Sequence, residues 1–161
     1  MGDYDADFYR WTQTQAAALR AKDFAALDLE NLAEEIESLG RSDRRAILSH
    51  LERLLLHLLK WREQPQGRGP SWRSTIRHAR RGIAKLLAES PSLHNYPARQ
   101  MTAAYRHACE DAADATGLPL VTFPDACPWA PEQLLDADFW PKMGPRKALH
   151  HRGLYERLGP R

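Results

Sequence analysis

The chain has 161 residues, of which 43% are hydrophobic and 27% charged, and a formal net charge of +2. A chain of this size buries about two-thirds of its unfolded surface, so one domain with a real core is expected. No apolar run approaches the roughly 20 residues of a membrane helix, and no secretory leader pattern opens the chain. Two cysteines, Cys109 and Cys127, form neither a disulfide framework nor a metal-type pair, so the expectation is a cytoplasmic protein without a membrane partner.

The small net charge hides segregation. Asp23 to Glu37 holds six acids and no base, Lys60 to Lys85 eight bases and one acid, and Lys142 to Arg161 six bases and one acid. The first helix is expected from about Ala6 to Ala21 with Asp5 as its cap, and Phe8, Trp11, Thr12, Gln15 and Leu19 on one side. A second helix opens at Asp28 and places Leu29, Leu32, Ala33, Ile36 and Leu39 inward. Gly40 reads as its left-handed stop and Ser42 as the cap of a third helix, so Asp28 to Gln64 is expected to form an antiparallel hairpin.

The third helix carries Ile47, Leu48, Leu51, Leu54, Leu55, Leu58 and Leu59 at a period near 3.6, the expected core of the fold. Pro65 ends it, and Gln66 to Pro70 forms a loop. Ser71 is placed to cap a fourth helix with Trp72, Ile76, Ala79, Ile83, Leu86 and Leu87 on one face. Gly82 in that helix suggests a close approach or a bend. A fifth helix runs from about Ala98 to Thr116, closed by Gly117. Beyond Leu118, Phe123-Pro124, Cys127-Pro128-Trp129 and Phe139-Trp140-Pro141 read as aromatic anchors of an irregular strap, with one helical turn from Pro131 to Leu135.

The segments YDADFYRWTQTQ, LDLENLAEEIESLG, LLLHLLKWREQP, SWRSTI, SPSL, TGLP, FPDACPW and EQLLDADFWP resemble the bacterial family catalogued as domain of unknown function 29. The resemblance covers about residues 4 to 141. It implies an all-helical fold and a bacterial source, and it brings no activity or catalytic residues to carry over. The expected organisation is an all-α bundle of about five main helices over residues 1–141, followed by a basic tail, 142–161.

Two constellations carry possible chemistry. Glu30, Glu34 and Glu37 stack along one edge of the second helix, and His50 and His57 lie with Trp61 beside the leucine stripe of the third. A turn near Arg41 would bring Glu34 close to His50, and Glu37 close to Arg44 or Arg45. Bundle proteins build two-metal centres from carboxylates and imidazoles on neighbouring helices. However, no Glu-x-x-His or His-x-x-x-His spacing occurs. His50 and His57 are about 10.5 Å apart along the axis, too far to share one ion. A salt-bridged helix edge accounts for the same residues, so neither metal nor cofactor is assigned.

The second constellation is basic. Arg73, Arg77, Arg80, Arg81 and Lys85 share a broad side of the fourth helix, preceded by Lys60, Arg62 and Arg68. Such a face can neutralise phosphates while Trp61 or Trp72 stacks on bases, but Trp72 fits the core stripe and no nucleic-acid motif is present. Cys127 precedes a proline without a histidine placed near it, and Ser71 and Ser74 read as helix-start residues rather than nucleophiles. The preferred expectation is a non-catalytic interaction module acting through charged helix faces on a protein partner or on itself. A metal-dependent enzyme and a nucleic-acid binder are the alternatives.

Overall fold

The computed structural model describes residues 3–144. Residues 145–161, with the Leu149, Leu154 and Leu158 pattern and the His150-His151 pair, lie outside the described residues. The described residues are all-α and contain no strand: α1 (Asp3–Ala6), α2 (Phe8–Ala21), α3 (Leu29–Glu63), α4 (Pro70–Glu89), α5 (Tyr96–Thr116) and α6 (Pro131–Leu135). They form two compact units that divide between Ala46 and Ile47.

The main departure from expectation is α3. Residues 29–63 form one continuous helix, so the expected hairpin turn at Gly40 is absent and there are four long helices rather than five. Gly117 is the one glycine among the described residues with positive φ, at 70°, and it closes α5 as expected. Gly40 has no such conformation and is carried through as an ordinary helical residue. A single helical glycine costs only about 1 kcal/mol, which the helix-forming residues on both sides of it offset.

In the first unit α2 starts two residues later than expected. Asp7, not Asp5, is its cap, and its carboxylate accepts from the Arg10 N–H at 2.9 Å. Asp28 caps α3 as read, accepting from the Asn31 N–H at 3.3 Å and from its side-chain amide at 2.7 Å. The same aspartate ties the two helices together. Trp11 Nε1 donates to it at 3.2 Å, and its own N–H donates to Gln15 Oε1 at 2.7 Å, which gives the buried glutamine amide the partner it needs. Tyr4 donates to Glu35 at 2.5 Å, and the nearby carboxylate pushes its phenol up to about 12. Trp11, Gln15 and Ala18 are buried, while Leu29, Ile36 and Leu39, all expected inside, are each about two-thirds exposed.

The second unit contains the core. Leu51, Leu54, Leu55, Leu58 and Leu59 of α3 are at most 1% exposed and cluster with Ile76, Ala79 and Ile83 of α4 and with Ala104, Tyr105, Ala108 and Ala112 of α5. Phe123 and Leu134 plug the same cluster from the strap. Each buried leucine contributes about 1.5–3 kcal/mol before ordering costs. Alanines line the inner side of α5, where Ala104, Ala108 and Ala112 are fully buried. Pro70 occupies the first turn of α4, so Ser71 lies inside the helix and is not its cap. The close approach expected at Gly82 is present: a Cβ there would lie 2.5 Å from His50 Nε2.

Arg80 latches the strap. It is only 5% exposed and donates from Nε to the Leu134 carbonyl at 2.8 Å, from Nη1 to that of Ala137 at 3.3 Å and from Nη2 to that of Phe139 at 2.7 Å. Its guanidinium lies 5.6 Å from the Trp140 ring, which packs 4.7 Å from Trp61. Arg80→Ala leaves these carbonyls without donors and is expected to destabilise the fold by about 3 kcal/mol. Arg80→Lys, lacking the planar fork, should recover less than half of that loss; chemical denaturation measures both.

Candidate functional site

The basic side of α4 is built by helical spacing. Ile76, Ala79 and Ile83 turn one side of the helix into the core. Arg73, Arg77 and Arg81, four residues apart in turn, project from another and are exposed. Together with Pro70 and Ser74 they line a shallow depression of about 340 Å³. Among the described residues no carboxylate lies within ion-pair distance of these three arginines. Lys85 differs, pairing weakly with Glu89 at 3.8 Å. Arg80, expected on the same face, turns inward to the strap, and burial lowers its pKa while Asp136 opposes the shift. The face therefore consists of three arginines rather than five cations.

The tryptophans expected to serve as stacking platforms are occupied. Lys60 Nζ sits 4.6 Å from the Trp72 ring centre, and the same indole lies close against Gly67. Trp61 is buried, with the guanidinium groups of Arg68 and Arg73 at 5.3 and 5.7 Å from its ring. Arg68 Nε also donates to the Trp61 carbonyl at 2.7 Å.

The Glu/His cluster is not assembled. Because α3 is continuous, Glu34 and His50 are about four turns apart on one helix rather than facing each other across a turn. Glu30, Glu34 and Glu37 are exposed, and Glu37 pairs with Arg41 at 3.4 Å, not with Arg44 or Arg45. His57 Nδ1 lies 3.0 Å from the Arg53 carbonyl, and His50 packs edge-on to His78 at 5.8 Å. No group of three or more His, Cys, Asp or Glu side chains among the described residues is placed to hold a metal ion.

One feature escaped the sequence reading. A cavity of about 740 Å³ opens between α5 and the strap, lined in part by Met101, Tyr105, Cys109, Phe123, Cys127 and Trp129. Tyr105 closes one wall by donating to the Pro124 carbonyl at 2.9 Å. Burial raises the pKa of both thiols, so they are protonated near neutrality and are poor nucleophiles. The Phe-Pro and Cys-Pro-Trp pairs signalled anchoring, but pattern alone does not show that anchored aromatics leave a gap behind them.

These features define an all-α protein with a leucine core, a latched C-terminal strap and segregated surface charge. Among the described residues no helix is long and apolar enough to cross a membrane. The chain belongs to the family described as Domain of unknown function DUF29, whose model matches residues 4–140. No curated protein matches the chain. No solved structure matches it either.

Burial lowers the pKa of both His50 and His57 below 6.5; the charges of His78 and Arg53 add to the effect on His50, while on His57 the bond to the Arg53 carbonyl opposes it and the charges of Lys60 and Arg53 add to it. Their neutral forms therefore stabilise the fold fully above pH 6.5, and this contribution is lost as the pH falls through the lower folded values. Urea midpoints measured from about pH 7 to about pH 5 should decrease, and His57→Gln should flatten the decrease.

Proposed function

We propose that the protein is a non-catalytic helical interaction module that binds an acidic polypeptide surface through Arg73, Arg77 and Arg81 of α4. The observation that carries this reading is that three exposed guanidinium groups share one depression with no carboxylate among the described residues to neutralise them. Planar guanidinium forks suit carboxylate pairs, and their exposure keeps the desolvation cost low. A stripe of one sign also speeds encounter with an oppositely charged partner. The family resemblance and the two unpaired thiols support placing this activity in a bacterial cytoplasm.

Nucleic acid is less well served by this face, because Trp61 is buried and Trp72 already carries Lys60 over its ring. A metal-dependent enzyme would need Glu34, Glu37, His50 and His57 to converge, and a continuous α3 spreads them along its length. The test is fluorescence anisotropy with a labelled glutamate-rich peptide and a labelled single-stranded oligonucleotide. The peptide should bind the wild type with affinity that falls as salt rises, and Arg73→Glu with Arg77→Glu should weaken it roughly tenfold. Tighter binding of the oligonucleotide, or peptide binding insensitive to both salt and the variants, would overturn the reading.

A further inference from the structure

The first unit exposes what a small helical unit ordinarily buries. On α3, Leu29 and Ile36 are each 67% exposed and Leu39 is 69% exposed, with half-buried Leu32 between them. These residues follow the alternating three- and four-residue spacing of a coiled-coil seam, which Asp43 and Ala46 extend. Helix α2 does not cover this stripe. Its polar bonds reach the adjacent side of α3 through Asp28, and its own Phe8 and Leu19 remain half exposed, as does Phe24 more fully just beyond it. An apolar patch of this extent on a small unit marks an association surface.

We infer that this surface pairs with a second copy of the chain, α3 against α3, in antiparallel orientation. Antiparallel register sets Leu29 opposite Ala46 of the second copy, Leu32 opposite Asp43, and Ile36 opposite Leu39. Asp43 is the one polar member of the seam and is half-buried within the chain itself. Next to the seam lie the exposed small residues Ala33 and Gly40, and the space where a Gly40 side chain would stand is open, so a second helix can approach closely.

Charge selects the orientation. Glu30, Glu37 and Arg44 recur at seven-residue spacing along the free edge of the stripe, and all three are exposed. Antiparallel pairing brings Glu30 of each copy toward Arg44 of the other and sets the two Glu37 side chains at the centre, each with its own Arg41 at 3.4 Å. A parallel pair would instead align acidic half with acidic half and basic half with basic half. This association uses the first unit and is independent of the arginine face of α4.

Sedimentation of the full chain at micromolar concentration should give twice the 18.4 kDa chain mass. Ile36→Asp with Leu39→Asp should give a monomer with unchanged helical circular dichroism, since both positions are mostly exposed. Arg44→Glu should weaken the dimer about fivefold, and adding Glu30→Arg should restore it, because the swap re-forms both pairs. A wild type that is monomeric throughout, a dimer that survives the seam variant, or an Arg44→Glu chain that pairs as well as or better than wild type would each overturn the inference. The α4 variants Arg73→Glu and Arg77→Glu should dimerise like wild type, so loss of peptide binding and loss of pairing are separately readable.

Discussion

The second unit depends on one physical event, the removal from water of the leucine stripe that runs down the latter part of α3. Leu51, Leu54, Leu55, Leu58 and Leu59 supply contact surface that α4 and α5 can meet only by presenting small and branched residues at matching intervals. Ala104, Ala108 and Ala112 of α5 and Ile76, Ala79 and Ile83 of α4 are fully buried against it. Phe123 and Leu134 of the strap pack into the same cluster. The charged residues are left to the outside, which is why the α4 arginines are displayed together.

The stripe was legible because burial and helical period coincide from Ile47 onward, where apolar residues recur every three or four positions and none needs a partner other than its neighbours. The same rule misled at Leu29, Ile36 and Leu39. An apolar period shows that a face seeks cover without showing that the chain supplies it. Gly40 misled for a related reason: a glycine with a serine two residues on matches a helix stop and a new cap, yet nothing in the local pattern records whether the backbone turns there. Arg80 was read as one cation among five, since spacing on a helix cannot tell a guanidinium facing water from one held by three carbonyls of a strap more than fifty residues away. Asp28, Gly117 and the turn at Pro131 were legible because their roles are set within four residues.

The two candidate surfaces differ in kind. The arginine face of α4 is rigidly mounted, because the opposite side of that helix is core, and its charges are displayed without local neutralisation. The stripe on α3 is apolar, with small residues at its flank and charges of both signs along one edge. A face of the first kind favours fast, salt-sensitive encounter, whereas one of the second favours slow-dissociating, shape-dependent contact. The cavity behind Tyr105 belongs to neither and arises from a strap pinned at its aromatic residues rather than packed along its length.

The Arg80 latch also has a consequence for how the chain is made. Its acceptors lie 54 to 59 residues downstream, so during synthesis the guanidinium has no carbonyls to bind until the strap has left the ribosome. Until then the helices hold an unplugged core with a charged head at its rim, a state that keeps part of the apolar surface open to other chains. Ribosome stalling or truncation ahead of Leu134 would therefore leave the core without its Leu134 plug and Arg80 without its carbonyl acceptors.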